Sequence, residues 1–360
     1  MSRKYDHSAR RGLFGPLLLL LGLTFGACDD DPSAAPQVIG AGGGAGAGQR
    51  GGSGAGGESG GAAGYAPLPE GARGLPIDPA KGYARTELGA NFYGVTNGFD
   101  QAAFFVTTAG VVVIDAPPSL GESLPVAIRE VTAAPVTHIV YSHYHADHIG
   151  AAARVAPGAA VVAHEATQRR LARDADPARP VPTVTFADTL TLEVGGQRLE
   201  LSYHGANHVE GNLFVYAPTQ RALVAVDLVW PGWVPFLALG EAIDVPGYRA
   251  AFDQVLAYDF DVFVGGHVGR YGTRADVELT QAYVEDLFRH AADAVATVGV
   301  ADAAAQVGVE NPFALAERWF SLMTQRCAAP VQAAWGERLG GVDLWVDSHC
   351  LAAIQSLRID

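Results

Sequence analysis

Apolar and polar positions along this chain change texture several times. From about residue 85, apolar runs bounded by Gly, Asn and Pro predict β-strands in "NFYGVTN" (91–97), "AAFFVTTAG" (102–110) and "VVVIDAPP" (111–118). "LGESLPVAIREVTAA" (120–134) has helical spacing, "VTHIVYSH" (136–143) reads as a buried strand, and "IGAAARVA" (149–156) as a short helix. A strand "AAVVAHEA" and a helix "ATQRRLARDA" follow, then a β-rich block from 182 to 230. Residues 246–260 look helical, "DVFVGGH" (261–267) is a strand, and a long helix over 276–298 opens an Ala-rich helical tail. Alternating elements, then strands, then helices fit a layered α/β protein rather than a bundle.

The first 75 residues read differently. Residues 1–28 carry Arg3, Lys4, Arg10 and Arg11, then the apolar run "LFGPLLLLLGLTFGA", which is too short for a membrane span and matches an export signal. "TFGAC" resembles a bacterial lipobox with Phe25 in place of the usual aliphatic residue, so Cys28 is the expected lipidation site. Residues 29–74 are expected to be a flexible linker, because 14 of the 25 residues from Gly40 to Gly64 are glycine and cannot bury enough apolar surface to order. The expected location is the periplasm or cell envelope, with a lipid anchor holding the protein to a membrane. A formal net charge of −14 and no basic run disfavour nucleic acid as a partner. Export also bears on Cys327 and Cys350: an oxidising compartment favours a disulfide between them over two buried thiols.

"YSHYHADHIG" (141–150) concentrates the chemistry. His143 and His145 sit two apart at a strand end and can converge on one point, while Asp147 and His148 in the turn can face a second. Imidazole and carboxylate at this density suit a zinc-type ion, or a pair of them. His208, Asp227 and His267 each close an apolar strand pattern, where open α/β architectures build their sites.

In this order and spacing the motifs resemble the metallo-β-lactamase superfamily over roughly residues 90–270, with "HYHADH" as its HxHxDH signature. The resemblance implies a four-layer αβ/βα sandwich as the catalytic domain (75–275); 276–360 falls outside it and is expected to be a helical extension packed on that domain, capping the pocket, serving dimerisation or extending the core. It implies that His143, His145 and His208 hold one metal, that Asp147, His148 and His267 hold another, and that Asp227 bridges the two. Two Zn2+ ions are expected, and Asp147 is the expected catalytic group beside their shared water. Asp115 is either a carboxylate behind a metal-bound imidazole or a turn former before "APP". His204, Tyr144, Trp230 and Trp233 are pocket candidates, with Tyr271 added as a possible oxyanion partner on sequence proximity. His138, His164, His290 and His349 read as structural or surface residues.

Hydrolysis of a small-molecule ester, lactone or thioester is the expected reaction. His145 stands where redox di-iron relatives carry Glu, and Asp227 where β-lactamases usually carry Cys or Ser. The alternatives are a β-lactamase and a mononuclear iron enzyme resembling persulfide dioxygenases.

Overall fold

Strands that are apolar on both faces need a covering layer on each side. The computed structural model of this chain, which describes residues 64–360, supplies both layers. The signal, Cys28 and the linker up to residue 63 lie outside the described residues.

One sheet has the order β1 (Ala84–Gly89), β2 (Phe92–Thr96), β3 (Gln101–Thr107), β4 (Gly110–Ile114), β5 (Val136–Val140), β6 (Ala160–His164) and β7 (Val184–Phe186). It is antiparallel through β4 and parallel from β4 to β7. The second runs β12 (Val262–Val264), β11 (Ala222–Ala225), β10 (Phe214–Ala217), β9 (Gln197–Ser202) and β8 (Thr189–Val194), with only β11 and β12 parallel. Alternation along single strands explains the packing. Val112 and Ile114 of β4 join Val224 of β11 in the core between the sheets. Val111 and Val113 turn the other way, onto a core shared with Leu124 and Ile128 of α1 (Ser123–Arg129), Ile149 of α2 (Ala146–Ile149), Val155 of α3 (Ala152–Val155) and Leu171 of α4 (Glu165–Asp174). On the far side of the second sheet, Leu223 and Phe263 pack against helices. The architecture is therefore a four-layer αβ/βα sandwich.

That outer helical layer begins after a short left-handed turn, α5 (Leu237–Glu241), with α6 (Val245–Leu256) and α7 (Arg274–Thr297). α6 buries Tyr248, Ala251, Phe252 and Val255, the i, i+3, i+4, i+7 stripe expected of a one-faced helix. α7 starts at a capping box in which Thr273 and Asp276 exchange hydrogen bonds. α8 (Val300–Val307), α9 (Pro312–Trp335) and α10 (Val342–Ile359) complete the helical extension, and a disulfide joins Cys327 of α9 to Cys350 of α10.

Part of the segment 29–74 expected to be linker packs on the fold. Ala72 is buried, its carbonyl accepts the Trp233 indole N–H at 2.9 Å, and the Gly71 carbonyl accepts from Arg270 at 2.6 Å. Leu75 N–H donates to Gly269 O at 2.6 Å, and a Cβ on Gly74 would lie 2.9 Å from the Gly269 Cα. Small residues that read as tether by composition are thus strapped down through their backbones.

Candidate metal centre

Four loops leaving strand ends bring the candidate ligands together. After β5 the chain turns sharply, with the Ser142 N–H donating to Asp115 Oδ1 at 2.8 Å. His145 is the N-cap residue of α2, so His148 lies one turn into the helix and faces back towards His143. Asp115 and Asp227, just beyond β4 and β11, both adopt left-handed backbone (φ 58° and 61°), a strained conformation that collects at functional sites. Gly266 (φ 91°) leads from β12 to His267, and a Cβ there would lie 2.6 Å from Val226 Cγ1 and 3.1 Å from His148 Cε1. Only glycine lets this strand end come so close.

The seven donors form two groups, His143, His145, His208 and Asp227, and Asp147, His148 and His267; within each, the ligand atoms lie within 4.8 Å of one another. Asp227 joins them. Its Oδ2 is 3.5 Å from His143 Nε2, 3.3 Å from His208 Nε2 and 3.0 Å from His148 Nε2, and its Oδ1 is 3.3 Å from His267 Nε2. Asp147 Oδ2 stands 3.5 Å from His148 Nε2 and 3.7 Å from His267 Nε2, with its side chain 59% exposed at the mouth.

The electrostatics fit cations. Burial, then the neighbouring imidazoles, keeps His143 well below the usual histidine range; burial and His208 push His145 down to about 4. These two rings are therefore neutral, the ligating form. Burial alone would raise the Asp227 carboxyl, but His148 and His208 hold it well below the usual carboxylate range. Against its burial, Asp100 and Asp227 drive His267 up to about 10. The second group thus draws positive charge, and metal uptake there displaces protons. His143 Nε2, His148 Nε2 and Asp227 Oδ1 are buried and make no hydrogen bond. Buried lone pairs without donors are costly in a metal-free polar cluster and natural around a divalent metal. The residues fit such a metal.

Ring orientation comes from behind. His143 Nδ1 meets Ser142 Oγ at 3.0 Å, and His208 Nδ1–H donates to Gly240 O at 2.6 Å. Asp115 Oδ2 lies 3.9 Å from His148 Nδ1, beyond hydrogen-bond reach, so its main contact is the Ser142 turn. The carboxylate behind His267 is Asp100, 3.0 Å from Nδ1 and itself bonded to Ser119 Oγ. Asp100 escaped sequence reasoning. Its signal was the Asx turn of "NGFD", in which Asn97 Oδ1 accepts from Phe99 and Asp100 N–H.

The pocket candidates divide. Trp230 is buried with its ring parallel to His267, centroids 6.3 Å apart, and Tyr144 packs edge-on to His145 at 5.0 Å. Trp233 instead clamps Ala72 and Gly340. His204 points away and bonds the Tyr258 hydroxyl at 2.9 Å. Tyr271 is half-buried, packed on the core between the sheets and against Gly94. Proximity in sequence did not place these three beside the candidate ligands, because each packs against a partner distant in the chain: Trp233 on Ala72, His204 on Tyr258 and Tyr271 on Gly94.

A family model, the Metallo-beta-lactamase superfamily, matches residues 96–267. Over 209 residues the chain is 28% identical to a 2,4-dinitroanisole O-demethylase subunit alpha from Nocardioides sp. (strain JS1661), covering 52% of this chain and 59% of that protein. Over 153 residues it is 28% identical to a Metallo-beta-lactamase type 2 from Bacteroides fragilis, covering 42% and 60%. The matches thus span about three-fifths of these relatives' own lengths. Among solved structures, a metallo-beta-lactamase from Pontibacter korlensis has 26% identity and a TM-score of 0.48, covering 56% of this chain and 97% of that one. Metallo-beta-lactamase IND-7 has 21% identity and a TM-score of 0.49, covering 56% and 96%.

Proposed function

The chain belongs to the metallo-β-lactamase superfamily, and on that premise we propose that it is a di-zinc hydrolase of apolar esters, lactones or thioesters. The observation that carries the reading is the convergence of seven ligand atoms with one carboxylate, Asp147, left open to solvent. Two bound zinc ions would supply a shared water of lowered pKa and a Lewis acid for the carbonyl oxygen. His143, His145 and His208 would hold one ion, Asp147, His148 and His267 the other, and Asp227 both. Asp147, 59% exposed, would orient that water and accept its proton, which would then pass to the leaving group.

The rim favours an apolar substituent. Phe99, 64% exposed, meets the His267 ring edge-on at 5.8 Å. Phe236, Leu237 and Ile243 are also exposed, and Ile243 N–H donates to the backbone carbonyl of His208. Aryl or alkyl groups flanking the scissile bond would lose water against these side chains.

A chelator-sensitive panel tests the proposal: aryl esters, lactones, thioesters, nitrocefin and 2,4-dinitroanisole offered to the zinc-loaded chain. Turnover of the esters, lactones or thioesters is expected. Turnover of nitrocefin alone would make the chain a β-lactamase, a reading supported by the Bacteroides fragilis relative. Turnover of dinitroanisole alone would point to aryl ether cleavage, the activity in the name of the Nocardioides relative. One iron per chain with oxygen uptake would replace hydrolysis with persulfide-type oxidation.

The location proposed with it is the cell envelope, with a lipid on Cys28. Mass spectrometry of the mature protein should find an acylated Cys28 as its first residue; an unmodified end downstream would remove the anchor from the proposal.

A further inference from the structure

The helical extension lies outside the residues matched by the family, yet it reaches the metal centre through one short turn. Ala238, Leu239 and Gly240 of α5 have φ of 50°, 63° and 69°, and Glu241 follows at 55°. Consecutive left-handed residues, three of them bearing a Cβ, do not persist without external restraint. That restraint comes largely from α10. His349 Nε2–H donates to Phe236 O at 3.0 Å, and Ser348 Oγ accepts from Ala238 N–H at 3.1 Å. The other His349 nitrogen, Nδ1, meets the hydroxyl of Tyr283 on α7 at 2.7 Å, so the ring is held from both sides. Trp230 closes the turn from within, since a Cβ on Gly240 would fall 2.5 Å from its ring.

The hydrogen bonds run on to a ligand. Phe236 O also accepts from Gly240 N–H at 2.8 Å, and Gly240 O accepts from His208 Nδ1–H at 2.6 Å. That last bond fixes the tautomer whose Nε2 lone pair faces the other candidate ligands, with His145 Nδ1 3.0 Å away.

We propose that His349, with Ser348, is a positioning residue: it holds the left-handed turn so that the Gly240 carbonyl orients His208, and thereby sets metal affinity at the three-histidine position. The inference rests on the metal-binding reading above, and it gives the extension a role that packing alone does not require. His349 touches no ligand and acts only through Phe236 and Gly240.

The test measures stepwise Zn2+ affinity of the full chain by competition with a chromophoric chelator, together with the Co2+ absorption spectrum. Asp100→Asn, which loosens His267, assigns one binding step to the second group. His349→Ala should weaken the other step by about 10–100-fold and alter its Co2+ spectrum, leaving the Asp100-sensitive step within about twofold. His349→Gln, whose amide N–H can still reach Phe236 O, should recover most of that loss, which a merely space-filling role would not predict. A folded His349→Ala chain with both affinities at the parent's values overturns the clamp alone. A parent chain that takes up no metal overturns the metal reading and the clamp together. If His349→Ala does not fold, Ser348→Ala takes its place: a loss confined to the same step supports the proposal, and parent affinities at both steps overturn it.

Discussion

Asp227→Ala should empty both metal positions and take hydrolysis with them. The Asp227 carboxylate lies within 3.5 Å of the candidate ligating nitrogens of His143, His148, His208 and His267. Alanine there leaves four imidazoles facing one another with no shared anion, three of them almost fully buried. Losing an outer partner of a ligand typically costs 10–100-fold in affinity or activity, and removing a group common to both positions should exceed about 100-fold in kcat/KM. Metal per chain after dialysis and kcat/KM on the best panel substrate are the measurements, with circular dichroism to show that the variant folds. A folded Asp227→Ala protein with two metals and near-parental turnover would remove Asp227 from the centre of the mechanism.

Opening the Cys327–Cys350 disulfide should destabilise the fold by about 3 kcal/mol. The two cysteines lie 23 residues apart, with Cα atoms 5.9 Å apart, in the buried seam between α9 and α10. A closed loop of that length restricts the unfolded chain and leaves the folded one untouched, which is the source of the estimate. The check is the denaturant midpoint of a Cys327→Ala, Cys350→Ala double variant against the oxidised parent, with the reduced parent as a second route to the same loss. Equal midpoints would mean that packing of α9 on α10 carries the whole stability.

Much of the site was legible because metal binding constrains residue type so tightly. Few side chains offer a lone pair to zinc, and a strand end is where the backbone can aim one, so "HYHADH", His208, Asp227 and His267 stand out from their apolar surroundings. The residues behind the ligands were less legible. Asp115 stood out as an acid at a strand end yet serves the Ser142 turn, whereas Asp100, inside an ordinary-looking turn, reaches His267. A carboxylate behind a ligand differs from any other turn aspartate only by which strand lies opposite, and pairing across a sheet is not a local property of the chain.

The sequence by itself determined the layering and singled out the candidate ligands. Strands such as "VVVIDAPP" carry apolar side chains on both faces and cannot be stable without cover on each, and the ligand chemistry is written in residue identity. Tertiary structure alone decided which aromatic residues flank the candidate ligands and which pack elsewhere, how residues 71–75 are held down, and what the C-terminal helices touch. Trp230 and Trp233 are three residues apart in one loop, yet one lies along His267 and the other locks Ala72. His349, unremarkable in sequence, lies two hydrogen-bonded carbonyls from His208 because α10 packs against a left-handed turn that local preference disfavours. Such relations depend on contacts between residues from 32 to 161 positions apart, and only the folded chain brings them together.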